Sequence, residues 1–242
     1  MRAPFLILQT GHPTPSMGRH GSFAHWIRVA AGLRDDDVVV IDVAGLDGSG
    51  GEDLPTREGF AGVIVTGSGA MVTDCLQWSE ASAAWLRDAA HAGLPLLGIC
   101  YGHQLIAHAL GGQVGYNSAG REMGTVDIGL QPDAGEDPLF AGMPPRFAVQ
   151  ATHLQTVLAL PEGAHLLATS QQDAACAFRW GRCAWGVQFH PEFSTTLMRG
   201  YIGAKREALS HEGSDARAME RAVRATPLAR QLLRRFVALA SH

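Results

Sequence analysis

The sequence predicts an α/β fold, a doubly wound and mostly parallel sheet with helices on both faces and a small antiparallel strand patch. Three observations predict it. Short aliphatic runs alternate with longer stretches of helical periodicity up to Gly112, the order expected of parallel strands joined by crossover helices. Beyond Gly112 the pattern changes to short strands separated by turn residues, and the chain closes on an amphipathic helix. At 242 residues, 46% hydrophobic and 17% charged, the chain can bury a full core. With no repeat, low-complexity tract or linker, a single domain over 1–242 is expected.

The elements follow in order. Phe5-Leu6-Ile7-Leu8, Val38-Val39-Val40-Ile41 and Gly62-Val63-Ile64-Val65 read as buried strands, apolar on both faces. Between the first two, residues 22–33 place Phe23, Trp26, Ile27, Ala30 and Leu33 at helical spacing. A Gly-rich loop at 45–51 and the pair Leu54-Pro55 separate the second strand from the third. A second helix is expected over 79–92, stopped by Gly93-Leu94-Pro95. Leu96-Leu97-Gly98-Ile99 forms a fourth strand and runs without a spacer into a helical pattern over 102–110, ended by Gly111-Gly112. Short strands are then expected at Val114, 125–128, 146–150, 166–169, 175–179 and 183–189, some forming the antiparallel patch and others joining the main sheet. Residues 227–240 begin with proline in the first turn and repeat Leu228, Leu232, Leu233, Phe236, Val237 and Ala240 on one face, which makes a C-terminal docking helix.

Composition excludes several function classes. No apolar run reaches the length of a membrane-spanning helix, and the run at 5–8 is too short for a signal-peptide core. A soluble, cytoplasmic protein without a membrane partner is therefore expected. Four cysteines, Cys75, Cys100, Cys176 and Cys183, give neither a dense disulfide framework nor a CxxC spacing, and no metal site is expected. The net charge of −4 conceals an asymmetry: nine Lys and Arg oppose four Asp and Glu over 196–242, and ten oppose nineteen before it. Acids and helix formers interleave with the basic residues and no stacking aromatics do, so this is a solvated helical face rather than a nucleic-acid contact. Lys205 is the only lysine, and no phosphate-cradling loop with a GK[ST] ending occurs. Ser49-Gly50-Gly51-Glu52-Asp53 imitates the start of a pyrophosphatase loop but lacks its strand, following serine and helix; it reads as a flexible loop.

The chemistry is concentrated where the fourth strand turns into its helix. Cys100 lies between Gly98 and Gly102, the cysteine form of a nucleophile elbow, in which small neighbours permit a sharp strand-to-helix turn. The helix N-terminus favours a thiolate, and the N–H of Tyr101 can face a developing oxyanion. A thiol of ordinary pKa, about 8.5, is only slightly ionised at pH 7, so a base is required. His190, in Gly186-Val187-Gln188-Phe189-His190-Pro191-Glu192, ends an apolar strand. In a doubly wound sheet that end opens on the same crevice as the end of the strand before Cys100. Pro191 keeps this stretch extended, so His190 and Glu192 project to one side and the carboxylate can orient the imidazole. Cys100, His190 and Glu192 then form a nucleophile, base and orienter set for acyl transfer through a thioester.

Gly98-Ile99-Cys100-Tyr101-Gly102-His103-Gln104 and Gly186-Val187-Gln188-Phe189-His190-Pro191-Glu192 resemble, in order and spacing, the two signatures of class I (triad-type) glutamine amidotransferases. The resemblance covers most of the chain and implies a flavodoxin-like core. It implies Cys100 as nucleophile, His190 as base and then acid, and Glu192 as orienting carboxylate. It also implies that Val65-Thr66-Gly67-Ser68-Gly69 supplies an oxyanion turn with Gly67 as donor, although Thr66 and Ser68 depart from the usual Gly-Gly-Pro and resemble a stand-alone GMP-synthase-like branch. Gln104 matches the family's pocket glutamine. The loop Thr152-His153-Leu154-Gln155-Thr156-Val157 resembles the segment that closes over the substrate's α-amino acid end, which makes His153 a substrate-binding candidate, with Gln155 where relatives often carry an acid.

The implied activity is hydrolysis of the glutamine side-chain amide to glutamate and ammonia, with no cofactor. The 50 residues after Glu192 carry no nucleotide-binding loop, so the ammonia is expected to pass to a separate synthetase, or hydrolysis is itself the function. A rival keeps the thioester and changes the substrate, a γ-glutamyl peptidase acting on glutathione-like compounds. Another is a non-catalytic regulatory subunit on the same scaffold, against which the intact Cys100, His190 and Glu192 speak. Blander readings hold elsewhere. Cys75, Cys176 and Cys183 read as inert packing thiols. His103 and His108, five apart, read as packing or hydrogen-bonding residues rather than a helical zinc pair. His12, His20 and His25 carry no assigned role beyond a loop over the site.

Overall fold

In the computed structural model, which describes residues 3–45, 48 and 50–241, the aliphatic runs of the first hundred residues assemble the parallel half of one sheet. β1 (Phe5–Gln9) pairs in parallel with β2 (Val38–Asp42) on one side and β3 (Gly62–Val65) on the other, and β3 pairs with β4 (Leu96–Ile99). The chain returns through α1 (Phe23–Ala31), α2 (Gln77–His91) and α3 (Tyr101–Ala109). Ser22 caps α1 by accepting a hydrogen bond from the His25 amide at 3.1 Å, and Gly32 ends the helix in a left-handed conformation. The closing helix α7 (Pro227–Ala240) starts on its proline and buries Leu232, Leu233 and Phe236.

Each face of the sheet carries its own core. Phe5 and Ile7 pack with residues of α1 and α7, while Leu6 and Leu8, the alternate side chains of the same strand, pack with residues of α2 and α3. A parallel strand covered on both faces is apolar throughout, as β3 and β4 are and as β1 is up to Gln9.

Across the sheet from β3, β4 pairs in parallel with β11 (Ala184–Val187), with Ile99 opposite Val187. Beyond β11 the pairing becomes antiparallel through β10 (Ala177–Trp180), β9 (Ala164–Thr169), β6 (Glu122–Leu130) and β7 (Arg146–His153), giving the order β2-β1-β3-β4-β11-β10-β9-β6-β7. β5 (Gln113–Tyr116) and β8 (Gln155–Ala159) form a separate two-stranded antiparallel patch. The doubly wound α/β sheet with a small antiparallel patch is thus the fold observed. Three shorter helices, α4 (Thr195–Ala204), α5 (Arg206–His211) and α6 (Ala216–Ala222), share an apolar cluster with Phe23, Trp26 and Phe193.

Several expectations are corrected. β2 is an edge strand, not a buried one: Val39 and Val40 are exposed because only β1 flanks it. The segment 152–157 is not a loop but the end of β7 and the start of β8, interrupted at Leu154. Up to His153 the run pairs with β6 in the main sheet and from Gln155 it pairs with β5 in the small one, so it changes sheet at Leu154. The Gly-rich stretch at 45–51 includes Leu46, Asp47 and Ser49, which lie outside the described residues, as does the first residue of the pyrophosphatase-like pattern. Cys75 is an exposed thiol rather than a packing residue, whereas Cys176 is buried and Cys183 half-buried; all three are free. No helix among the described residues is long and apolar enough to cross a membrane.

Candidate active site

Cys100 occupies the junction of β4 and α3 with φ 54° and ψ −103°, a conformation that a residue with a side chain rarely adopts. The glycines on either side explain how the turn closes. A Cβ on Gly98 would fall 2.4 Å from the Gly102 carbonyl carbon, and one on Gly102 would fall 2.5 Å from the Val65 carbonyl oxygen. The Cys100 amide donates to the Val187 carbonyl at 2.9 Å, which ties the elbow to β11. Its thiol, 6% exposed, donates to the Thr152 carbonyl at 3.8 Å.

His190 and Glu192 follow β11, the neighbour of β4. The register that sets Ile99 beside Val187 therefore brings the candidate base to the candidate nucleophile. His190 Nδ1 and Glu192 Oε1 are 2.7 Å apart, and both side chains are buried. Nε2 of His190 is buried without a partner in good hydrogen-bond geometry among the described residues, a looseness common where substrate is absent. Burial alone lowers the proton affinity of this imidazole. The neighbouring Glu192 and Cys100 side chains outweigh burial, and the pKa is pushed up to about 10. Phe193 stacks on the ring at a centroid distance of 4.2 Å.

Gly67 stands against both groups: a Cβ there would lie 3.0 Å from His190 Cε1 and 3.7 Å from Cys100 Cβ. Its turn is held by the hydroxyls of Thr10 and Thr66. The Thr66 carbonyl accepts from the Gly102 amide at 3.1 Å and from Thr10 Oγ1 at 2.9 Å, and the Gly67 carbonyl accepts from Thr66 Oγ1 at 2.9 Å. The Thr10 amide donates to Thr66 Oγ1 at 3.0 Å, and both threonines are fully buried. With two successive carbonyls fixed, the planes of two successive peptides are fixed too. The Tyr101 amide is in the first turn of α3, where N–H groups have no acceptor within the helix. The Tyr101 hydroxyl is hydrogen-bonded to Ser79 Oγ at 2.6 Å, and burial raises its pKa to about 12.

These groups open on a cavity of about 140 Å³ whose walls include Cys100, Tyr101, Gln104, His153, Gln155 and His190. Gln104 is fixed by donating from Nε2 to the Gln155 carbonyl at 2.6 Å and to Gln188 Oε1 at 3.0 Å. His153 borders the cavity, but its ring is engaged within the protein: Nδ1 is 3.0 Å from the Gln155 carbonyl and Nε2 is 3.0 Å from Glu122 Oε2. His12 also lines the cavity and pairs with Asp42 at 2.8 Å, whereas His20 and His25 do not line it. His103 is buried against Phe178, and burial lowers its pKa to about 4; His108 meets Glu80 at 3.1 Å. Both histidines pack or pair within the fold.

Behind His153 lies a second polar group. Glu122, Asp173 and Cys176 bring one donor atom each within 4.8 Å of one another. Ser170 donates to Glu122 Oε1 at 2.5 Å and Thr156 to Asp173 Oδ1 at 2.7 Å, with His153 between the carboxylates. Burial raises the Cys176 thiol well above its ordinary pKa, so it offers a neutral S–H rather than the thiolate a metal takes.

Comparisons with known proteins agree with one another. The family described as glutamine amidotransferase class-I matches residues 22–206. The GMP synthase [glutamine-hydrolyzing] of Aeropyrum pernix is 38% identical over 183 residues, covering 73% of this chain and 32% of that protein. The protein of the same name from Porphyromonas gingivalis W83 is 40% identical over 166 residues, covering 64% of this chain and 30% of its own. This chain thus spans about a third or less of the curated relatives it matches. Among solved structures, a glutamine amidotransferase from Thermotoga maritima superposes with a TM-score of 0.78 at 21% identity over the whole of both chains. One from Methylobacillus flagellatus gives 0.73 at 22% identity over 98% and 94%.

Proposed function

This chain belongs to the class-I glutamine amidotransferases, and from that premise we propose that it hydrolyses the side-chain amide of glutamine through a γ-glutamyl thioester on Cys100. The observation that carries the reading is the adjacency of β4 and β11, which places a strained cysteine and a carboxylate-paired histidine side by side at one cavity.

Cys100 sulfur attacks the amide carbon, and the oxygen that gains negative charge is met by the amides of Gly67 and Tyr101. His190 takes the Cys100 thiol proton on Nε2 as the sulfur attacks, while Glu192 holds the ring through Nδ1, and delivers that proton to the amide nitrogen; the C–N bond breaks and ammonia leaves. The imidazole, now neutral, takes a proton from water as the water attacks the thioester carbon. The C–S bond breaks, glutamate departs and the thiolate is restored. Gln104, fixed by Gln155 and Gln188, lines the pocket for the glutamyl chain, and the His153 stretch contributes through its backbone. In this reading the ammonia is delivered to a separate synthetase, in keeping with relatives named GMP synthase, or hydrolysis is itself the function.

The test is glutamate release from glutamine by purified protein, with Cys100→Ala alongside. Loss of a triad nucleophile lowers kcat by about 10⁴-fold or more. A glutamine-like electrophile is expected to label Cys100 and no other cysteine. Undiminished hydrolysis by the Cys100→Ala protein would falsify the reading.

A further inference from the structure

The cavity has a rim whose charge the glutaminase reading leaves unused. No carboxylate lines it among the described residues, while Lys205 and Arg121 both do. Lys205 is the only lysine of the chain. It stands one helical turn after Tyr201, so the two share a face of α4. Arg121 is held in place by a two-pronged contact with Glu212, Nε to Oε2 at 2.9 Å and NH2 to Oε1 at 2.9 Å. Two cations against this single anion leave the rim positive.

Tyr201 supplies the second, independent observation. Its side chain is 6% exposed and lines the cavity, and its hydroxyl makes no hydrogen bond of good geometry among the described residues: the Thr14 amide faces the oxygen, and the O–H is left without an acceptor. A buried O–H without an acceptor is costly, so an acceptor that fills this position recovers a hydrogen bond. The ring packs against Phe193 at 5.0 Å, and Phe193 stacks on His190, which ties the tyrosine to the candidate base through one aromatic stack. The cavity is also lined by the neutral amides of Gln104 and Gln155.

We propose that Tyr201 and Lys205, with Arg121 beside them, form a carboxylate subsite that fixes which γ-glutamyl compounds the cavity accepts. The hydroxyl donates one hydrogen bond to the carboxylate and the ammonium supplies the charge, an arrangement a neutral amide substituent cannot replace. The carboxylate has two sources in a γ-glutamyl substrate: the α-carboxylate of the glutamyl unit, or one carried by the leaving amine. The proposal rests on the glutaminase reading for the identity of the substrate backbone, and ligand binding tests it separately from turnover.

The experiment measures dissociation constants by calorimetry on Cys100→Ala protein for two matched pairs. Glutamine is compared with its α-carboxamide analogue, and γ-glutamylglycine with γ-glutamyl methylamide. In at least one pair the charged member is expected to bind about tenfold tighter, as a charge-assisted hydrogen bond provides; the pair that shows it identifies the source. Adding Lys205→Gln brings that ratio to about one, Lys205→Arg preserves most of it, and Tyr201→Phe reduces it. Equal binding within both pairs, or a preference that survives Lys205→Gln, overturns the subsite. Failure of the wild-type protein to turn over glutamine, with the binding ratios as expected, overturns the glutaminase reading and leaves the subsite standing.

Discussion

The imidazole of His190 shows how burial and charge compete at one atom. Burial disfavours its protonated form, yet Glu192 and Cys100 raise its pKa from 6.5 to about 10. A group that binds its proton more tightly when folded stabilises the fold fully below pH 6.5, and that contribution is lost as pH rises from about 6.5 to 10. Urea unfolding of wild-type and His190→Gln proteins is expected to show a difference in midpoint that shrinks with pH across this window; a difference that widens would place the proton elsewhere. The Thr10 and Thr66 hydroxyls belong to the same scale. Thr10→Val removes the donor to the Thr66 carbonyl, frees the turn that bears Gly67, and is expected to lower kcat about tenfold or more with KM little changed, because the donors it positions act on the transition state. Thr10→Ser keeps the hydroxyl and is expected to recover most of the rate. Cys100, His190 and Glu192 were legible in the sequence because each stands in a contiguous pattern whose spacing follows from a strand end. Thr10, Tyr201 and Lys205 were not, since each reaches the site only through the packing of a segment remote from the motifs.

Among the elements, the elbow between β4 and α3 is the most exacting, because backbone atoms rather than flexible side chains surround Gly98 and Gly102. Gly102→Ala must move Val65 or the start of α3. It is expected to cost about 1–3 kcal/mol by overpacking and to abolish electrophile labelling of Cys100. Gly129→Ala, on a glycine with open space around it, serves as the comparison and is expected to leave the melting temperature nearly unchanged. The helices α1 and α7 and the strands β1, β3 and β4 were readable from periodicity, since each buries a regular set of side chains against one partner. β8 was not, because Gln155-Thr156-Val157 continues β7 with only Leu154 between and carries no turn residue to announce a change of sheet. Nor were the bounds of α5 and α6 readable, because helices of six and seven residues show too few turns for a clear period.

Across the whole molecule, α7 joins the two ends of the chain. Phe236 is buried against Phe5 of β1 at 6.3 Å and Trp185 of β11 at 6.2 Å. Phe236→Ala is expected to destabilise the fold by about 3–5 kcal/mol, read from chemical denaturation, while labelling of Cys100 persists in the protein that remains folded. The overall class was legible because strand and helix alternate in sequence; the order of strands past β4 was not, because antiparallel pairing leaves no trace in hydrophobic pattern alone.

The strand that seats His190 arrives late: β11 slots between β4 and β10 about ninety residues after β4 itself has been made. Such a long-range closure is slow compared with forming local helices. A ribosome-bound chain that has not yet released β11 therefore holds its cysteine without a base, and competence arrives only when the central strand locks in. Chains arrested just before and just after that point are expected to differ in the reactivity of Cys100 toward an electrophile, low before the strand is released and high after it.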